Sequence, residues 1–109
     1  MSQSVDALEN QFFLLRASLS ILTEQGATAS QLEQLRTQIA QSRTNYWAAV
    51  NKNLQDDNPE IMQLVTQLNA QEASLKTTID HLGDVAKVID AITKAVDIGS
   101  QIVAKAVAL

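Results

Sequence analysis

Along the first third of the chain, Val5, Leu8, Phe12, Leu15, Leu19 and Leu22 recur at alternating steps of three and four residues, the spacing that keeps side chains on one face of an α-helix. A second run, Leu32, Leu35, Ile39, Ser42, Tyr46 and Ala49, repeats the pattern, backed by Val50 and Leu54, with smaller or more polar residues in its second half. Beyond Pro59 one seat of a heptad is apolar throughout, at Ile61, Leu68, Leu75, Leu82, Ile89, Val96 and Val103. The companion seat alternates, reading Val65, Glu72, Ile79, Ala86, Thr93, Ser100 and Val107. Two apolar seats per heptad predict long helices with coiled-coil-like packing.

The breaks in this pattern are few, because the chain contains one proline and three glycines. Gly26 opens the stretch GATAS and suits a left-handed helix cap. Ser30 with Glu33 has the form of a capping box, and Asn58 followed by Pro59 that of an N-cap with proline at the first helical position. Helices are expected near 4–25, 30–56, 59–82 and 84–108, with turns at Gly26, at Asp56-Asp57-Asn58 and at Gly83-Asp84. The prediction is an all-α, antiparallel helical bundle of four helices forming a single domain, 1–109. An alternative with three helices makes 59–108 one continuous helix of roughly 75 Å, since the heptad runs through Gly83 in phase. Such a helix would outrun the other two, which favours the four-helix arrangement.

The segment NQFFLLRASLSIL, Asn10 to Leu22, carries large apolar residues on opposite sides of its helix. If Phe12, Leu15, Leu19 and Leu22 face the core, then Phe13, Leu14, Ala17 and Ile21 form a second stripe. Leaving it wet forgoes about 1.5–3 kcal/mol for each large side chain and invites association. These four residues are therefore the expected interface, for a twofold homodimer or a helical protein partner.

Charge and residue chemistry narrow the function. Eight basic and twelve acidic residues give a net charge of −4, and without a clustered positive surface no nucleic-acid partner is expected. Tyr46 and Trp47, flanked by Arg43 and Lys52, could stack on bases, but their helical spacing assigns them to core packing with polar tips reaching outward. There is no cysteine, so no disulfide or thiolate metal site can form. His81, beside Asp80 and Asp84, is the only histidine, whereas a carboxylate-bridged metal pair in a bundle draws histidines from two helices. No catalytic residue, cofactor or metal is expected.

The final segment, DVAKVIDAITKAVDIGSQIVAKAVAL, is amphipathic. Val85, Val88, Ile89, Ile92, Val96, Val103 and Val107 fall within an arc of roughly 100°, opposite Asp90, Lys94, Asp97, Gln101 and Lys105. A helix lying on a membrane surface favours excess Lys or Arg with an aromatic anchor, and this one has neither. Ala91, Ala95 and Gly99 form a line of small residues suited to close helix approach. The N-terminus carries Asp6 and Glu9 ahead of its first basic residue, Arg16, unlike a secretory leader, so a cytoplasmic location is expected. The functional expectation is a non-catalytic helical bundle acting through protein–protein interaction, by homo-oligomerisation through helix one. The alternative is a membrane-active or exported helical protein using its amphipathic C-terminal helix.

Overall fold

The computed structural model describes residues 3–52, 58–80 and 84–108. They form four helices, α1 (Gln3–Glu24), α2 (Ala29–Asn51), α3 (Pro59–Asp80) and α4 (Val85–Ala108), with no strand among them. The body measures 42 × 21 × 19 Å. Each of α1 and α4 packs along both α2 and α3, while α1 and α4 also touch across one diagonal. Contacts from Glu9 to Tyr46, from Asn45 to Ser100 and from Glu60 to Lys105 bring the start of α1 and α3 to the same end as the finish of α2 and α4. Helix direction thus alternates along the chain, and 59–108 is a helical pair rather than one long helix. Leu54, Asp56, Asp57, His81, Leu82 and Gly83, on which several expectations fall, lie outside the described residues.

Local chemistry sets the helix ends. Gly26 adopts φ +86°, and its N–H donates to the Thr23 carbonyl while that of Ala27 donates to the Leu22 carbonyl, the paired bonds of a Schellman cap. The capping box that opens α2 is Thr28 with Gln31, two residues before the expected Ser30 with Glu33. The Gln31 N–H donates to Thr28 Oγ1 at 3.1 Å, and the Thr28 N–H donates to Gln31 Oε1 at 2.9 Å. Both pairs have suitable spacing, but it is Thr28 that takes the extended N-cap conformation, φ −70° and ψ 163°. Thr28→Ala should therefore lower unfolding free energy by about 1 kcal/mol, and Ser30→Ala by much less; denaturant titration of the two variants distinguishes the caps. Asn58 Oδ1 accepts from the N–H groups of Glu60 and Ile61, and Asp84 Oδ1 accepts from that of Ala86, so α3 and α4 begin as expected.

The core explains the two-sided apolar pattern of α1. Its innermost stripe is Ser4, Leu8, Gln11, Leu15, Ser18 and Leu22, all fully buried, with polar residues at alternate seats. Phe12 and Leu19 are turned towards α2 from this stripe, and Leu14 and Ile21 towards α3, each half-buried. A corner helix flanked by two neighbours needs apolar residues on both shoulders, so the opposite-facing residues do not require a second molecule to cover them all. In α2 the buried seats are Leu35, Ser42, Asn45 and Ala49. In α3, Ile61, Leu68 and Leu75 are buried with Leu64, Val65 and Ile79.

The companion stripe moves in α4. Ile89 and Val96 keep the heptad seat, but Val88, Ile92, Ala95 and Ile102 complete the buried face, leaving Ala86 and Thr93 exposed. A continuous phase in one seat therefore coincides with a rotated face, as a separate helix with new neighbours requires.

Polar residues divide the core into two apolar clusters, one around Leu8, Ile61, Leu68 and Ile102, the other around Leu15, Leu35, Ile79 and Ile92. Gln11 Nε2 crosses the bundle to donate to the Ala95 carbonyl at 2.8 Å. Asn45 Nδ2 donates to Ser100 Oγ at 3.1 Å, and Gln41 Nε2 donates to Asn45 Oδ1 at 3.0 Å. Ser18 and Ser42 return their hydroxyls to the carbonyls of Leu15 and Ile39, satisfying themselves within their own helices. Gly99 faces this layer, where an added Cβ would lie 2.8 Å from Gln11 Oε1 and 3.1 Å from Leu8 Cδ2. The small-residue line of α4 thus admits α1 across the bundle diagonal.

Candidate functional site

The four expected interface residues do not share one environment. Phe13 points away from the core and is 51% exposed, and Ala17 is exposed as well. Leu14 and Ile21 are half-buried and pack against the second apolar cluster. Leu14 also lines a groove between α1 and α3 with Asn10, Asn69, Glu72, Ala73 and Lys76. The outward surface of α1 is therefore centred on Phe13 and continues towards α2 rather than α3.

On that side, Phe12, Phe13, Arg16, Arg36, Ile39, Ala40, Arg43, Tyr46 and Trp47 line an open groove of about 760 Å³. It collects every aromatic residue and every arginine in the chain. Their convergence follows from helix geometry: Arg36, Arg43 and Trp47 recur at steps of seven and four on the outer shoulder of α2, while Phe12, Phe13 and Arg16 occupy the facing shoulder of α1. The rings form a continuous row, with centroid separations of 5.7 Å from Phe13 to Phe12, 6.5 Å from Phe12 to Tyr46 and 5.5 Å from Tyr46 to Trp47. Phe12 and Tyr46 are nearly parallel, at 16°.

The row runs from fold to surface. Tyr46 packs against the first core cluster, and its Oη donates to Glu9 Oε2 at 2.7 Å. That hydrogen bond holds the phenol above its ordinary pKa, with burial and the negative charge of Glu9 adding to the effect. Trp47, expected in the core, is instead 49% exposed, and Val50 one turn later is 39% exposed. The helical spacing that grouped Tyr46 with Ile39 leaves its neighbour Trp47 about 100° further round the helix, on the solvent side.

No acidic side chain is among the groove's lining residues. Among the described residues the ion pairs are Asp90 with Lys94 and Glu60 with Lys105, so none of Arg16, Arg36 and Arg43 is neutralised by a described carboxylate. The groove is a positive, aromatic surface on a molecule of net charge −4. It supplies planar guanidinium groups suited to carboxylates and ring faces and edges suited to apolar side chains.

Other candidate chemistry is sparser. Among the described residues, no group of three or more His, Cys, Asp or Glu side chains could hold a metal ion. In the α1–α3 groove, of about 350 Å³, Glu72 Oε1 has no hydrogen-bond partner among the described residues, and burial pushes the carboxyl pKa up to about 8. Glu72 and Lys76, four residues apart on α3, do not form an ion pair. The apolar face of α4 is turned into the core, and no helix of the described residues is long and apolar enough to cross a membrane. The chain matches no protein-family model, and no curated protein or solved structure is detectably similar to it.

Proposed function

We propose that this protein is a non-catalytic helical bundle that acts by binding another protein through the outer face of α1 and α2. One observation carries the reading: all four aromatic residues and all three arginines line a single groove, with Phe13 and Trp47 left about half exposed. Exposed aromatics and arginine are the residue types enriched where proteins bind one another. Of the four helix-one residues expected from the sequence, this reading keeps Phe13 and joins it to Arg36, Arg43 and Trp47.

A twofold homodimer through this groove would bring six arginines together without acidic partners in the groove, and like charges across an interface are unfavourable. The hetero-partner is therefore the preferred reading. Photo-activatable amino acids placed at Phe13, at Trp47 and at the exposed α3 position Thr66 test it in cells that make the protein. Protein adducts are expected from Phe13 and Trp47 and not from Thr66. Equal adduct yields at all three positions, or none at the first two, would count against the α1–α2 face.

A further inference from the structure

We infer that the α1–α2 groove receives an acidic amphipathic helix, whose carboxylates pair with Arg36, Arg43 and Arg16 while its apolar residues cover Phe12, Ile39 and the exposed ring of Trp47. The inference rests on the interaction reading above and adds the chemistry and shape of the partner.

Charge complementarity supplies the first part. The lining carries three guanidinium groups and no carboxylate, so an acidic segment gains pairing at Arg16, Arg36 and Arg43, whereas a basic one meets repulsion. Arginine forms bidentate bonds with carboxylates, and Arg16, Arg36 and Arg43 make no ion pair with a described residue.

Spacing supplies the second. Arg36 and Arg43 are seven residues apart on one helix, or about 10.5 Å along its axis, with Ile39 and Ala40 between them. A second helix lying along the groove repeats that spacing when acidic residues stand seven apart and two large apolar residues stand midway. The lining on α2 runs from Arg36 to Trp47, a length of about 16 Å or three turns, which suits a short helix-in-groove segment. Ala40 keeps the α2 wall low beside Ile39, and Phe12 with Tyr46 forms an aromatic floor between the helices. A flat anionic lipid surface would satisfy the arginines but not fill a concavity between two helices.

The sole tryptophan lies in the groove, so its fluorescence reports occupancy. The probe is a helix-stabilised synthetic peptide carrying Glu-x-x-Leu-Leu-x-x-Glu, compared with a version in which both glutamates are lysine, and with vesicles rich in phosphatidylglycerol. The acidic peptide should shift Trp47 emission to the blue and bind calorimetrically at one per chain. Arg36→Glu and Arg43→Glu should each weaken binding by about tenfold while circular dichroism stays unchanged, and the lysine peptide should bind the doubly reversed protein.

Failure of the acidic peptide to bind at millimolar concentration, or equal binding of both peptides to the unaltered protein, overturns the inference. If protein adducts still form at Phe13 and Trp47 in that case, the interaction reading stands without it. A blue shift with vesicles alone, and no protein adduct, overturns both.

Discussion

Replacing Gly99 by alanine should destabilise the protein by about 2 kcal/mol, although alanine in the interior of a helix ordinarily gains about 1 kcal/mol over glycine. The reversal comes from the diagonal contact of α1 with α4. The added methyl would stand 2.8 Å from Gln11 Oε1 and 3.1 Å from Leu8 Cδ2, inside normal contact distance. Gln11 is fully buried, and its Nε2 is committed to the Ala95 carbonyl. Turning the amide aside breaks that bond in a fully buried site, a loss of about 1–3 kcal/mol, and moving α4 outward loosens both apolar clusters. Gly99→Val, with two more carbons in the same gap, should cost at least about 3 kcal/mol. A double-mutant cycle isolates the cause, because shortening the opposing side chain with Gln11→Ala should recover about 1 kcal/mol of the Gly99→Ala loss. If Gly99→Ala instead raises the denaturation midpoint at constant slope, the close α1–α4 approach is wrong.

A second large effect is a decline in stability from mildly acidic to mildly alkaline pH. Glu72 faces the groove formed with Asn10 and Leu14 of α1, and burial raises its pKa from 4.5 to about 8. The folded state therefore holds this proton more tightly than the unfolded chain. Its stabilising contribution is complete below about pH 4.5 and is lost as pH rises through about 8. Partial access of solvent to the carboxylate limits the loss to about 2 kcal/mol. Glu72→Gln should remove this slope and raise stability near pH 8 by a similar amount, read by denaturant unfolding across the range. Glu60 has the opposite sign, because its hydrogen bond and charge interaction with Lys105 lower its pKa. Its contribution appears above the unfolded value of 4.5 and is lost on further acidification. A rise in stability between about pH 5 and 8 that Glu72→Gln abolishes would contradict the assigned burial.

Helix type and number were legible in the residues because propensity, caps and periodicity agree. Gly26, Asn58-Pro59 and Asp84 mark ends for stated conformational reasons, and Ile61, Leu68 and Leu75 are buried as their spacing predicts. The true centre of α1 was harder to read, because Ser4, Gln11 and Ser18 occupy alternate core seats while larger apolar residues stand on its shoulders. A hydrophobic template passes over such seats, yet the recurrence of those three polar residues at a spacing of seven, between Leu8, Leu15 and Leu22, was present in the sequence. Phe13 was legible as an outward residue from its phase alone. Its neighbours in the groove were not, because the approach of Arg36, Arg43 and Trp47 depends on how α2 is rotated against α1. Leu14 and Ile21 show the converse difficulty, since a wheel diagram of one helix cannot reveal that α3 lies beside them.

If the exposed edge of the aromatic–arginine groove serves binding rather than folding, Phe13 and Trp47 contribute little to stability. Denaturant unfolding of the Phe13→Ser, Trp47→Ser double variant, followed by circular dichroism, tests it most directly. Both side chains are about half exposed, and neither belongs to a buried apolar cluster. The expected loss is no more than about 1 kcal/mol at unchanged slope. A loss of about 3 kcal/mol or more, the range of buried large-to-small substitutions, would make these aromatics part of the core and contradict it.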